Sequence, residues 1–324
     1  MDLQVIARAG NAFQQGLTAA QIAAMCARAF GRHARLGTAV ELGLGMYNTT
    51  YRVEVDGTPV ILRVAPEPAR QFRTERELMR NELAALPYLA PIADMLPRTL
   101  AADFTHQLLG RDYLFQTMLP GIPGPDALPT YPREHWAPYF RQVGAITRAI
   151  HDVEGPAYGP VAGPHHDTWS GALLAAFANA AADLEDCGLD ATDVRAVAEH
   201  LHTDRALLDG AGGPRLLHGD LWTVNLMFAP GAPEPTVTGV LDGDRAWWGD
   251  PAADWTIRMV NSKPDRLPFW DTYGQQQPTA DSARRYLYYQ ARHLYAMRLE
   301  RHRLGRAGDD TYAQLGNVLD RLAV

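Results

Sequence analysis

An α+β fold in two lobes is what this 324-residue sequence predicts: an N-terminal five-stranded antiparallel sheet with one helix, then a larger, mostly helical C-terminal lobe. Three observations predict it. Between Val40 and Val64 apolar residues alternate with polar ones around turn residues, the period of half-buried strands. Pro120 to Pro125 is a run of Pro and Gly that breaks the pattern and suits a linker. From Glu134 onward the apolar spacing is mostly helical, apart from short hairpins.

The elements follow in chain order. Thr18 to Phe30 has Ile22, Met25, Cys26 and Phe30 on one side of a helix, with Thr18 as its N-cap. Val40 to Val55 reads as two strands around the turn Gly43-Leu44-Gly45-Met46-Tyr47-Asn48. Tyr51, Val53 and Val55 alternate with polar residues, Asp56-Gly57 is a tight turn, and Val60 to Val64 is the next strand. Arg73 to Leu89 is helical, and Arg98 to Ala102 and Tyr113 to Met118 complete the five strands. The lobes are therefore residues 1–118 and 119–324. In the second lobe, Pro214 to His218 is a short strand entering a turn at Gly219. Asn225 to Phe228 and Thr236 to Leu241 form a hairpin across a Pro/Gly-rich turn. Asp250-Pro251 reads as a helix N-cap followed by Pro at the first helical position. No internal repeat is present.

Composition narrows the function classes. Apolar content of 47% and charged content of 21% are those of an ordinary globular protein. A net charge of −7 argues against a nucleic-acid-binding surface and is compatible with a cationic small-molecule partner. Cys26 and Cys187 are too few for a disulfide framework or a zinc site. No apolar run approaches membrane-spanning length and the N-terminus lacks a signal-peptide pattern, so a reducing cytoplasm is expected.

Residues 218–254 carry the chemistry: His218-Gly219-Asp220, Asn225, Asp242-Gly243-Asp244, Gly249-Asp250-Pro251 and Asp254. An Asp and an Asn on one short loop, with a second Asp just after the neighbouring strand, suit phosphoryl transfer. The first carboxylate takes a proton from a hydroxyl, and the Asn and second Asp hold Mg²⁺ against nucleotide phosphates. Single Asp and Asn residues in turns also serve the backbone alone; the spacing of the set points to the site.

These motifs resemble those of the aminoglycoside phosphotransferase and choline kinase-like family, small-molecule kinases with a bilobal protein-kinase-like fold. The likeness runs from about Val40 to the C-terminus and is sharp in residues 216–255. Gly219 stands where protein kinases carry Arg, and Gly249-Asp250-Pro251 belongs to the small-molecule branch. The resemblance implies that Asp220 is the catalytic base, that Asn225 and Asp242 are Mg²⁺ ligands, and that Asp254 anchors the catalytic loop.

It also implies a cleft between the lobes for ATP or GTP. The turn bearing Gly43, Gly45 and Asn48 would fold over the phosphates, although a plain hairpin turn explains glycines there too. Arg63 stands where the kinase fold places a Lys for the α- and β-phosphates, and its planar fork suits phosphate oxygens. Glu82, beside the apolar face of Met79, Leu83 and Leu86, is the expected carboxylate partner, with Glu75 in reserve. The purine should meet main-chain groups near Gln116 to Met118, with Met118 or Leu119 against it and Met227 as a floor. The acceptor is expected to be a hydroxylated small molecule, an aminoglycoside, nucleoside, macrolide or other natural product, whose phosphorylation would inactivate an antibiotic. Trp169, Trp222, Trp247 and Trp248 are candidate pocket walls, against the commoner role of tryptophan in a core. Two readings compete. One is a metal-dependent hydrolase using His165, His166, Asp167, His218, Asp220 and Asp242; the other is a non-catalytic nucleotide-binding pseudokinase module.

Overall fold

The computed structural model describes every residue except Gly10, Asn11 and Leu44. Its N-terminal part comprises β1 (Asp2–Gln4), α1 (Ala19–Phe30), β2 (Leu36–Leu42), β3 (Thr49–Val55), β4 (Thr58–Val64), α2 (Leu78–Ala85), β5 (Thr99–Asp103) and β6 (Tyr113–Thr117). These strands form one sheet in the order β1-β2-β3-β4-β6-β5. It has six strands, one more than predicted. The extra strand, β1, pairs parallel with β2, setting Asp2 opposite Thr38 and Gln4 opposite Val40. Three residues are too short to show an alternating pattern, so only the free edge of β2 defines it.

Alternation in the sequence becomes alternation of burial. Along β3, Thr49, Tyr51, Val53 and Val55 are buried, and α1 lays Ile22, Met25 and Cys26 over that face. Thr18 caps α1 in a full capping box with Gln21. Leu17 N donates to Tyr51 Oη at 2.7 Å, tying the start of the helix to the sheet.

The helix predicted over Arg73 to Leu89 is broken. A short turn spans Arg73–Glu75, Glu77 has φ 59°, and the α-helix begins only at Leu78. The Asp183 carboxylate accepts from Arg73 N at 2.9 Å and Thr74 N at 3.1 Å and so caps that short turn from α5; the break itself lies at Arg76, which is extended, and at left-handed Glu77.

The C-terminal part comprises β7 (Ile122–Pro123), α3 (Gly124–Ala127), α4 (Ala137–His151), β8 (Gly159–Pro160), α5 (Trp169–Asp186), α6 (Thr192–Thr203), α7 (Arg205–Asp209), β9 (Arg215–Leu217), β10 (Leu226–Phe228), β11 (Val237–Val240), β12 (Trp247–Gly249), α8 (Trp255–Asn261), α9 (Trp270–Tyr273), α10 (Ala280–Arg303) and α11 (Asp309–Leu322). Two small sheets, β11-β10-β7 and β8-β12-β9, carry the connections between them. The predicted Pro/Gly linker is therefore part of the lobe's structure, because β7 pairs antiparallel with β10. Two apolar cores hold the helices. One surrounds Trp169, Phe177, Tyr288 and Leu294, and the other surrounds Tyr139, Phe140, Phe228 and Phe269.

Candidate active site

The site begins where β9 ends. Gly219 has φ +80° and a Cβ there would collide with the Arg245 carbonyl, so only glycine lets the chain turn into Asp220. The loop is fixed from behind by Asp254, which is buried. Its Oδ2 accepts from His218 N at 2.9 Å and lies 3.1 Å from His151 Nε2, while Oδ1 accepts from Thr256 N at 3.1 Å and caps α8. Burial opposes the charge on Asp254, but the His151 contact and the Thr256 N–H outweigh it and hold the carboxyl well below the usual carboxylate range. Thr256 Oγ1 in turn donates to Leu221 O at 2.9 Å.

Hairpin register brings the remaining oxygens together. Leu226 lies opposite Val240 across β10 and β11, and Leu241 N donates to Asn225 O at 2.8 Å. Asp242 thus leaves β11 directly beside Asn225, as the sequence predicts. Asn225 Nδ2 donates to Asp220 O at 2.7 Å and to Asp220 Oδ2 at 3.0 Å. Its Oδ1 takes no hydrogen bond among the described residues and remains a free ligand atom. Burial pushes the Asp220 carboxyl up to about 7; Arg245 opposes the rise and Asp242 adds to it. Asp242 itself holds a left-handed conformation, φ 56° and ψ 55°, at a cost of about 1 kcal/mol.

Across from the hairpin stands Arg63 on β4, buried with Glu82 of α2. Arg63 Nη1 donates to both Glu82 oxygens at 2.7 Å, so the expected partner is the actual one. Glu75, held in reserve, pairs instead with Arg245 at 3.1 Å and with Arg303. Arg63 Nη2 makes an ion pair with Asp242 Oδ1 at 2.6 Å, without hydrogen-bond geometry, and lies 3.9 Å from Asp244 Oδ2. Among the described residues, Glu82, Asp242 and Asp244 bring carboxylate oxygens within 4.8 Å of one another, and no His joins them. Burial, with Asp242 and Glu82 nearby, pushes Asp244 well up against the opposing pull of Arg245 and Arg63. Burial likewise raises Glu82, against Arg63.

The turn bearing Gly45 and Asn48 is held by a residue that the sequence did not flag. Gln14 Nε2 donates to Gly45 O at 2.9 Å and to Asn48 O at 2.8 Å. Leu44, within the predicted turn, lies outside the described residues. Gln116 is placed differently from expectation: it is buried within β6, opposite Ile61 on one side and Thr99 on the other. The ladder occupies its main chain, and free backbone begins at Met118, which is 44% exposed. Met227 is buried on β10 opposite Pro123.

On the other side of Asp220 a cavity of about 390 Å³ opens between the Arg73–Leu78 segment, α5, the Asp244–Trp247 segment and α10. Of the four tryptophans proposed as its walls, only Trp247 lines it. Trp169 and Trp248 are core residues, 0% and 1% exposed, and Trp222 faces a separate hollow of about 50 Å³. Trp255 lines the large cavity instead. His218 braces the loop by the hydrogen bond of its backbone N–H to Asp254, while both ring nitrogens lack a partner of normal geometry among the described residues. Asp250 caps the turn after β12, accepting from Ala252 N at 3.0 Å and from Tyr289 Oη at 2.6 Å, as its structural assignment requires. Sequence reasoning also missed Asn81, whose Nδ2 donates to Asp244 O at 2.8 Å and Ala246 O at 2.9 Å and so ties α2 to the Asp242–Ala246 segment. Its place one residue before Glu82 was the available signal.

A family model described as the phosphotransferase enzyme family matches residues 38–291. No curated protein matches the chain in sequence. Among solved structures, the fold is similar to that of a thermostable mutant of aminoglycoside phosphotransferase APH(4)-Ia in a ternary complex with ADP and hygromycin B. That pair has TM-score 0.63 and 18% identity, covering 93% of this chain and 97% of that one. It is also similar to a candidate fructosamine-3-kinase from Haemophilus somnus, with TM-score 0.60, 15% identity and coverage of 93% and 96%. A mutant of the aminoglycoside 2'-phosphotransferase-IIIa in its GDP complex gives TM-score 0.58 and 14% identity, covering 94% and 97%.

Proposed function

The chain belongs to the phosphotransferase enzyme family, and from that premise we propose that it transfers the γ-phosphoryl group of ATP or GTP, with Mg²⁺, to a hydroxyl of a small molecule. The observation that carries the reading is the β10–β11 register. It sets Asp220, Asn225 and Asp242 at one end of a hairpin, facing the Arg63–Glu82 pair. The lobe boundary then falls after Met118, with the nucleotide between the lobes.

The residues present fit a hard divalent cation. Three carboxylates crowd around a single guanidinium, and Asn225 Oδ1 is free beside them. Oxygen ligands of this kind suit Mg²⁺. Asp242 and Asn225 would hold it, and when bound it would neutralise charge on the nucleotide phosphates. Asp220, raised toward neutrality by burial, is suited to accept the acceptor's hydroxyl proton near pH 7. Asn225 keeps the carboxylate turned toward the cavity side of the loop through its hydrogen bond. Arg63, positioned by Glu82, would neutralise the donor phosphates. Gly45 and Asn48 would lie over those phosphates, Met118 against the purine and Met227 beneath it.

Related folds that bind ADP with hygromycin B, and GDP, support a purine nucleotide paired with a hydroxylated acceptor and keep both nucleotides in view. The acceptor fits the class of antibiotics and related natural products. No described helix is long and apolar enough to cross a membrane; we place the enzyme in the cytoplasm, where its nucleotide is. A metal-dependent hydrolase is disfavoured by the absence of His from the acidic cluster among the described residues. The test is a screen of hydroxylated antibiotics and metabolites with Mg-ATP and Mg-GTP, read by nucleoside diphosphate release and mass gain of one phosphate. Nucleotide binding without release to any acceptor would favour the non-catalytic module instead.

A further inference from the structure

The acceptor-side cavity carries a part-buried cation that no carboxylate among the described residues pairs with. Most of its ionic groups are already paired. Glu75 is held by Arg245 and Arg303, Glu77 lies 3.4 Å from Arg80, and Arg73 is bound by Asp183 and Asp186. Two lining cations differ: Arg76, which is exposed, and Arg292, which is half-buried on α10. Arg292 has the Tyr295 hydroxyl as a neutral partner and no carboxylate at ion-pair distance among the described residues. Its guanidinium lies over the Trp247 ring, 4.4 Å from the centroid, and Trp247 lines the same cavity.

The geometry of α10 gives the cavity a direction. Arg292, Ala296 and Glu300 all line it, and their four-residue spacing sets them along one helix face. Eight residues of helix separate Arg292 from Glu300 by roughly 12 Å. Asp220 and Glu300 line the cavity together, and Asp220 marks where the hydroxyl must lie. Arg292 sits two turns of α10 from Glu300, over Trp247. A guanidinium already stripped of part of its water gains most from a planar anion, which its fork binds bidentately. The indole below offers a flat apolar surface. A polycation would instead bring like charge to Arg292.

We propose, on the phosphotransferase reading above, that the acceptor is a hydroxylated compound with a planar apolar portion and, at the end away from the transferred hydroxyl, a carboxylate or comparable anion bound by Arg292 over Trp247. This is opposite to what the net charge of the chain suggests, because the charge that matters is the local one.

Three probes test it: a biphenyl with hydroxymethyl and carboxylate at its opposite ends, the corresponding primary amide, and the corresponding aminomethyl compound. Calorimetric titration of the full chain should give at least about tenfold tighter binding for the carboxylate than for either analogue, as charge-assisted bidentate pairing implies. Arg292→Gln should bring the carboxylate-to-amide ratio close to one, and Arg292→Lys should restore part of it. Trp247→Leu should weaken carboxylate and amide alike. A melting temperature near wild type for Arg292→Lys keeps the comparison interpretable should Arg292→Gln fold poorly. Equal binding of carboxylate and amide, or preference for the amine, would overturn the proposal even if the compounds are phosphorylated. Arg292-dependent binding of the carboxylate with no mass gain of phosphate under Mg-nucleotide would sustain the anion site and overturn the phosphotransfer reading.

Discussion

Two arginines on either side of Asp220 are treated in opposite ways by the fold. Arg63, on the donor side, is enclosed by Glu82 and Asp242 with Asp244 next in line, and it is only 4% exposed. Arg292, on the acceptor side, is half-buried against Trp247 and has no acidic partner among the described residues. The difference teaches what each wall is for. A charge surrounded by opposite charges holds its geometry before any ligand arrives, which is what positioning a phosphate chain needs. A charge left beside an aromatic face and a neutral hydroxyl, with no carboxylate among the described residues, is open to an anion from outside the chain.

The largest expected effect tests whether Asp220 divides the two sides at all. Asp220→Asn should lower kcat by about 10²–10⁴, the usual worth of general-base catalysis, while nucleotide Kd stays within a few-fold. Turnover retained in that variant, measured by coupled diphosphate release, would remove the dividing residue.

Next in size is Glu82→Ala. It strips the bidentate partner from a buried guanidinium, and breaking a buried ion pair costs about 3–5 kcal/mol. Asp242 can compensate part of this, so urea unfolding should show a loss toward the lower bound. A loss within experimental error would mean that the donor cluster does not stabilise itself.

A smaller effect concerns the neighbour of Arg292. His293 is buried, and burial together with Arg292 and Arg258 brings its pKa down to about 3. The folded protein therefore refuses a proton that the unfolded chain takes up below its ordinary value of about 6.5. Stability is full above that value and falls as the pH drops toward the folded one. One unit below, the loss is about 1.4 kcal/mol. Melting temperatures at neutral and mildly acid pH should show it, and His293→Gln should flatten the slope. Arg292→Gln should flatten it in part, which ties this measurement to the acceptor-side charge.

Gln14→Ala is expected to do least. Losing two hydrogen bonds to the Gly45 and Asn48 carbonyls, each worth about 1 kcal/mol at most in an exposed setting, should raise the nucleotide KM several-fold. The acceptor KM should not move. A change in acceptor KM of the same size would mean that the turn serves both sides.

How much of this was visible in the sequence differs by region. The hairpin carrying Asn225 and Asp242 was legible because turn residues and alternation fix register locally, and the pairing of Leu226 with Val240 follows from them. The Arg63–Glu82 pair was legible because the family resemblance singles out Arg63 and helix spacing sets Glu82 beside the apolar face of α2. The broken helix at Glu77 was not, because the segment before it is docked by Asp183, more than a hundred residues later, and that contact leaves no local pattern. The tryptophans misled for a related reason: Trp169 and Trp248 lie near Asp220 or its strand, but side-chain direction turned both into the core.

The sequence by itself determined the two-part α+β architecture and the hairpin that brings Asp220, Asn225 and Asp242 together, features set by periodicity, turns and short-range spacing. The tertiary structure alone decided which residues line the cavity beside Asp220, that Gln116 is taken up by the sheet, and that Arg292 stands above Trp247 with no carboxylate partner among the described residues. These depend on how α10 and α5 pack across residues distant in the chain, and packing between distant helices leaves no local pattern to read.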